Sequence, residues 1–184
     1  PPPVSKRPSI ESPMSNSETK HDAYISLGSN LGDRVQTLKQ ALAAIAALPG
    51  TNLVAVSSFY ETEAVGGVAD RDFINAACHI STGLSPQELM SALLRIEESL
   101  GRRRAEKWGN RTCDLDILVY DDLVSDDPFC RLPHPGLAER KFMITPLAEI
   151  APGLIIPQIG KKAQDIERYL PNSYSIKRFF EKDT

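Results

Sequence analysis

A chain of 184 residues that is 41% hydrophobic and 24% charged has the composition of a soluble globular protein and length enough for one domain with a full core. Its 21 Lys and Arg against 24 Asp and Glu leave a net charge of −3, which excludes a global electrostatic case for nucleic acid or anionic membrane as partner; any phosphate site must be local. The three cysteines, Cys78, Cys113 and Cys130, have no C-x-x-C spacing and so predict neither a disulfide framework nor a zinc site; with no long apolar run and no secretory segment, the expectation is a soluble intracellular protein.

Residues 1–21 are rich in Pro, Ser, Lys and Glu without apolar periodicity and are expected to be a disordered tail or linker. Ala23 to Leu27 reads as a short strand that ends in the turn-rich Gly28-Ser-Asn-Leu-Gly-Asp33. The pattern of a P-loop fails here because no Lys-Ser/Thr follows. Val35, Leu38, Leu42 and Ile45 recur at helical spacing, with Asp33 placed as the cap and Pro49-Gly50 as the stop. Leu53 to Tyr60 reads as a strand, and Glu61 to Asp72 as a loop whose Gly66-Gly67 pair permits large backbone excursions. Phe73 to Ile80 alternates, placing Ile74, Ala76, Cys78 and Ile80 on one face and Phe73, Asn75, Ala77 and His79 on the other. Ser85-Pro-Gln-Glu88 is a capping box with Pro at the first helical position, followed by Leu89, Leu93, Ile96 and Leu100 and stopped at Gly101.

The cationic run Arg102 to Lys107 leads into Trp108 to Leu118, where strand alternation sets Asp114 and Asp116 on one face and Leu115, Ile117 and Val119 on the core side. Two carboxylates at that spacing beside arginines suit Mg²⁺, which takes one or two protein carboxylates and completes its shell with water and phosphate oxygens. Asp121 to Asp127 reads as an acidic turn, Phe129 to Leu132 as an edge strand, and Pro133-His134-Pro135 as a rigid corner that exposes the histidine. Leu137 to Ile150 is helical in pattern and broken at Pro146, Ala163 to Leu170 forms a last helix, and residues 172–184 look like a weakly tied tail after a domain spanning 22–171.

Strand, helix, strand, strand, helix, strand is the order of the ferredoxin-like split βαβ fold (βαββαβ): an α+β domain with an antiparallel-rich sheet, helices packed on one face, and C-terminal helical additions. If those helices cover the face of Ile74 and Leu115, then Phe73, Asn75, Asp114 and Asp116 share a free opposite face. An amide offers a donor and an acceptor to a heterocycle edge, an aromatic ring offers a stacking surface, and the arginines offer a polyphosphate clamp. Two substrates follow, a planar heterocycle and a polyphosphate. The same residues also fit a regulatory ligand-binding module or a nucleotidyl or glycosyl transferase using Asp-x-Asp, and product identity separates these readings.

The blocks Ala23-Tyr-Ile-Ser-Leu-Gly-Ser-Asn-Leu-Gly32, Val56-Ser-Ser-Phe-Tyr-Glu-Thr62, Phe73-Ile-Asn-Ala-Ala77, Arg95-Ile-Glu97, Trp108-Gly-Asn-Arg-Thr112, Asp114-Leu-Asp-Ile117, Leu132-Pro-His-Pro135 and Glu139-Arg-Lys-Phe142 resemble, in order, the 6-hydroxymethyl-7,8-dihydropterin pyrophosphokinases of folate biosynthesis. The resemblance implies pyrophosphoryl transfer from ATP to the hydroxymethyl group, with AMP released. It implies two Mg²⁺ ions on Asp114 and Asp116, and Arg102 and Arg111 on the transferring group. It places Thr62, Glu63, Val65, Phe73, Asn75 and Phe142 at the pterin, and Glu97, Arg104, Lys107, Trp108, Ile117, Arg131, His134 and Arg140 at ATP. Phe73 stands where a Tyr is familiar, and Glu63 where a Pro is. The resemblance also implies a cytoplasmic location, or a mitochondrial one in a eukaryotic source, no nucleic-acid or membrane partner, and fusion to or association with neighbouring folate-pathway enzymes.

Overall fold

Ala23, Ile25 and Leu27 alternate with Tyr24, Ser26 and Gly28, a pattern that gives one strand an apolar face along its whole length and a second face that turns polar toward its end. In the computed structural model, which describes residues 19–63, 72–101, 113–171 and 175–181, this strand β1 runs His21–Ser29 and lies inside the sheet. It is followed by α1 (Arg34–Ala46), β2 (Thr51–Val56), β3 (Tyr60–Thr62), β4 (Phe73–Thr82), α2 (Pro86–Ser99), β5 (Asp114–Tyr120), α3 (Lys141–Ile150), α4 (Ala163–Tyr169) and β6 (Ile176–Arg178). The sheet order is β5-β1-β4-β3-β6, with β2 also on β4, and every pairing is antiparallel. This is the split βαβ topology expected from the order of elements.

Local signals start the first two helices as read. The Asp33 side chain accepts the Gln36 N–H at 3.1 Å, and Ser85 and Glu88 form the full reciprocal capping box. Leu38, Ala41 and Ile45 of α1 and Leu89, Leu93 and Ile96 of α2 bury against Ile25, Leu27, Ile74, Ala76, Ile80, Leu115 and Ile117. Each fully buried large aliphatic there stabilises by roughly 1.5–3 kcal/mol.

The reading departs from the structure at several places. The single strand expected over Leu53 to Tyr60 is two, because the Ser57 hydroxyl, rather than a backbone carbonyl, accepts the Ala77 N–H at 2.9 Å and interrupts the ladder. Val119 does not share the face of Leu115 and Ile117. A register shift pairs Ile117 with Ile25 but Val119 with Tyr24, so Leu118 and Val119 both turn to the opposite side and Tyr120 returns to the first core. Phe129 to Leu132 forms only an isolated bridge, Ser125 to Leu132.

The sheet face opposite α1 and α2 is not free. Leu137, Met143, Ile144 and Leu147 pack with Ile156, Ala163 and Ile166 over Tyr24, Leu118 and Val119 as a second core. Residues 135–139 are turns and α3 begins at Lys141, then continues through Pro146 rather than breaking there. Losing one backbone bond to proline costs about 3 kcal/mol in an exposed helix, and burial of Met143, Ile144, Pro146 and Leu147 offsets it. The segment read as a weakly tied tail carries β6, which closes the outer edge of β3.

Glu149 of α3 joins these parts. Its Oε1 accepts the Tyr60 hydroxyl at 2.6 Å and lies 3.3 Å from the Arg178 guanidinium, while Oε2 accepts the Ser58 N–H at 2.6 Å. Burial opposes its charge, but the Tyr60 and Ser58 hydrogen bonds and Arg178 outweigh burial and hold the carboxyl below its usual value. A depressed carboxyl contributes stability above its unfolded value of 4.5 that is lost as pH falls through the folded one. Glu149→Gln should therefore lower urea-unfolding stability at neutral pH by about 1–2 kcal/mol and flatten the acid limb below that value.

Candidate active site at the polar end of the sheet

Register alone brings the chemistry together. Gly28 of β1 pairs with Asp114 of β5 on one side and Asn75 of β4 on the other, and the next rung is Asp116, Ser26 and Ala77. Directly paired residues present side chains to the same face, so Asp114, Asp116 and Asn75 all lie on the side of the second core, outside its apolar cluster. Two strand spacings separate Asp114 from Asn75, about 10 Å between Cα atoms. That separation lets an oxygen-donor site and an amide site contact different parts of one reacting pair.

Gly28 is what makes the second site possible. A Cβ placed on it would lie 2.9 Å from Asn75 Oδ1 and 3.9 Å from Phe73 Cδ1, so the amide and the ring both lean over a bare stretch of backbone. Asn75 is buried, and its Nδ2 donates to Thr62 Oγ1 at 2.7 Å. That bond fixes the amide orientation, with Oδ1 on the Gly28 side. Asn75 was expected on an open face; it is instead a buried, oriented group at the wall of a notch. Phe73 and Phe142 are both half-buried, Thr62 is buried and Glu63 exposed.

At the other end of the rung, Asp114 and Asp116 are half-buried, and His134 Nε2 stands 3.9 Å from Asp116 Oδ1. The Leu118 carbonyl at the bulge accepts the His134 N–H at 2.8 Å, which seats the residue beside β5. His134 Nδ1 accepts the Gly136 N–H at 3.0 Å, so the neutral ring carries its proton on Nε2 and presents a donor, not a metal ligand, toward Asp116. Burial and then the Arg140 charge push His134 down to about 4, against an upward pull from Asp114. The histidine is thus partly buried rather than exposed between its prolines. Arg140 folds back over Gly136, where a Cβ would meet its Nε at 2.7 Å.

The donor set fits Mg²⁺. Asp114 and Asp116 supply hard oxygens, and among the described residues no group of three or more His, Cys, Asp or Glu could hold a metal unaided, so water and phosphate oxygens would complete an octahedron.

Other expected residues fall elsewhere. Glu97 is buried on α2, and its Oε1 accepts the Leu115 N–H at 2.7 Å, holding the edge strand β5 between the two aspartates. The Ile117 side chain lies in the first core, facing away from Asp116, so only its backbone borders the site. Arg131 is exposed. Val65, Arg102, Arg104, Lys107, Trp108 and Arg111, like the Gly66-Gly67 pair, lie outside the described residues. Gly28 and Gly136 were not read as site residues. For Gly28 the available signal was a glycine inside a strand pattern, which marks close approach.

Fold and site together define an α+β protein of ferredoxin-like architecture with a carboxylate pair and an oriented amide on one sheet face. The family model of 7,8-dihydro-6-hydroxymethylpterin-pyrophosphokinase (HPPK) matches residues 24–152, and the chain belongs to that family. It is 45% identical over 135 residues to the 2-amino-4-hydroxy-6-hydroxymethyldihydropteridine pyrophosphokinase of Haemophilus influenzae, covering 73% of this chain and 84% of that protein. Identity to the Bacillus subtilis protein of the same name is 42% over 145 residues, covering 79% of this chain and 84% of the relative. The Schizosaccharomyces pombe folic acid synthesis protein fol1 is 36% identical over 150 residues, covering 82% of this chain and 20% of its own length. Among solved structures, Plasmodium falciparum HPPK-DHPS with pterin and p-hydroxybenzoate superposes with a TM-score of 0.66 at 14% identity, covering 84% of this chain and 42% of the larger one, which supports the fold.

Two outcomes follow from this geometry. Gly28→Ala should cost about 1–3 kcal/mol in urea unfolding because the new methyl drives Asn75 off Thr62, and adding Asn75→Ala should recover part of that loss. In the metal-free protein the His134 ring should remain neutral until about pH 4 by NMR titration; its contribution to stability is full above 6.5 and is lost as pH falls through about 4.

Proposed function

We propose that this chain transfers the pyrophosphoryl group of ATP to 6-hydroxymethyl-7,8-dihydropterin, giving AMP and the dihydropterin diphosphate for folate biosynthesis. The observation that carries the reading is the Asp114–Gly28–Asn75 rung, which brings the Asp-x-Asp carboxylates and a buried amide to one sheet face within the matched family region. The hydroxymethyl oxygen attacks the β-phosphorus, the bond from that phosphorus to the α–β bridging oxygen breaks, AMP leaves with the bridging oxygen, and the hydroxyl proton passes to solvent. Phosphoryl transfer of this kind depends on positioning and charge rather than on a strong base.

Mg²⁺, two ions in our reading, would neutralise triphosphate charge between Asp114 and Asp116. His134 offers its Nε2 proton and Arg140 its charge to phosphate oxygens at the same edge. Asn75, oriented by Thr62, pairs with the amide edge of the pterin, while Phe73 and Phe142 stack on its faces. We assign Arg102 and Arg111 to the transferring group, Glu63 and Val65 to the pterin edge, and Arg104, Lys107, Trp108, Arg131 and the Ile117 backbone to ATP. Glu97 serves the nucleotide site by holding β5.

The reading includes residues 22–171 as the catalytic unit and a cytoplasmic or, in a eukaryote, mitochondrial setting. No helix among the described residues is long and apolar enough to cross a membrane. The longer HPPK-DHPS and fol1 relatives support fusion to, or association with, neighbouring folate-pathway enzymes.

Phosphorus NMR of ATP, Mg²⁺ and the hydroxymethyl dihydropterin should show AMP appear in step with the pterin diphosphate; ADP as product would reject the reading. Asp116→Ala should reduce turnover by about 10²-fold or more with the melting temperature preserved, since a half-buried site carboxylate adds little to either core.

A further inference from the structure

The short strand that carries Thr62 into the site is held by β6 along its outer edge and by the Arg34 side chain, neither of which has a role in the site described above. β3 has only three residues, and a strand pair that short is marginal without further support. Its outer edge is closed by β6, from the part of the chain beyond the matched 24–152: Thr62 pairs with Ile176, Glu61 with Lys177 and Tyr60 with Arg178. Phe179 then donates its N–H to the Phe59 carbonyl at 2.8 Å and packs against the first core.

Arg34, the first residue of α1, completes the arrangement. Its Nη1 donates to Glu61 Oε2 at 3.1 Å and to the Asp72 carbonyl at 2.8 Å, and its guanidinium carbon stands 6.0 Å from the centroid of the Phe179 ring. One side chain therefore ties α1 to β3, to the residue that opens β4, and to the segment after β6. The Arg34 and Glu61 side chains are only 15% and 23% exposed, so the pair is screened far less than a surface ion pair.

We propose that Arg34 and β6 form a positioning clamp for ligand recognition, setting Thr62 so that the Asn75 amide is held in one orientation. The physical chain is short. β6 and Arg34 place β3; β3 places Thr62 Oγ1; that oxygen accepts from Asn75 Nδ2 at 2.7 Å; and an amide without this partner can turn over, exchanging donor for acceptor at the notch above Gly28. Lysine keeps the charge but not the longer, planar guanidinium whose Nη1 reaches both acceptors with its carbon 6.0 Å from the Phe179 ring centroid, so it replaces Arg34 only in part. The inference rests on Asn75 being the group that reads the pterin.

The test compares wild type, Arg34→Ala, Arg34→Lys and Phe179→Ala. Arg34→Ala should raise the pterin KM, and the dissociation constant from fluorescence titration, by roughly 10- to 100-fold, the scale of a misplaced positioning group, with kcat and the ATP KM within about twofold. Arg34→Lys should recover part of the loss, and Phe179→Ala should show a smaller rise of the same selectivity. Unchanged pterin affinity in Arg34→Ala, or equal losses for pterin and ATP, would overturn the clamp.

Hydrogen exchange at Tyr60–Thr62 reads the clamp without substrate. About tenfold faster exchange is expected in Arg34→Ala, and unchanged protection there would overturn the proposal by itself. A wild-type protein that does not bind the hydroxymethyl dihydropterin would instead reject the assignment of Asn75. The exchange result would still decide whether Arg34 holds β3.

Discussion

The pairing of β1 with β4 on one side and β5 on the other is the constraint on which the rest of this molecule depends. Asp114 and Asn75 lie far apart in sequence, and neither borders the other on its own strand. They meet because Gly28 takes a partner on each edge, so the register of one strand sets the spacing between the carboxylate pair and the amide. A slip of one residue would turn Asp114 and Asp116 into the first core and Leu115 out of it, exchanging buried aliphatic surface for buried charge. The aliphatic residues under α1 and α2 thus hold the site in register as well as stabilising the fold.

The opposite face divides along its length. Tyr24, Leu118 and Val119 join the apolar residues of α3 and α4 in the second core, whereas Ser26, Gly28, Asp114, Asp116 and Asn75 stand outside that cluster. The bulge near Leu118 serves both halves, since it adds a second apolar residue to the covered part and turns a carbonyl to His134. Burial and then the Arg140 charge keep the histidine neutral at physiological pH, and the Gly136 N–H on Nδ1 leaves the Nε2 proton facing the aspartates. The site is therefore assembled by backbone features, a bulge, two glycines and a register, as much as by the side chains that would touch substrates.

Side-chain ties between distant elements add a further layer. Glu149 binds Tyr60, Ser58 and Arg178 together, and Arg34 joins Glu61 and Asp72. Each places a charged group where hydrogen-bond partners satisfy it, donors for Glu149 and acceptors for Arg34, which is how a partly buried charge becomes structural rather than costly. Both act on β3, a strand of only three residues.

The residues by themselves determined what local physics controls. Ser85 and Glu88 begin α2 because an N-cap and its reciprocal partner are three residues apart, and Ile74, Ala76, Cys78 and Ile80 share a face because strands repeat every two residues. Those rules, with the family's ordered blocks, were enough for the ferredoxin-like topology and for Asp114, Asp116, Phe73 and Asn75 on one face. Tertiary structure alone decided the bulge that moves Val119, the second core that α3 and α4 build on that face, the use of Glu97 to hold β5, and the capture of β6 by β3. Each of those depends on what packs against a segment from a distant part of the chain, and neither propensity nor periodicity within a segment carries that information.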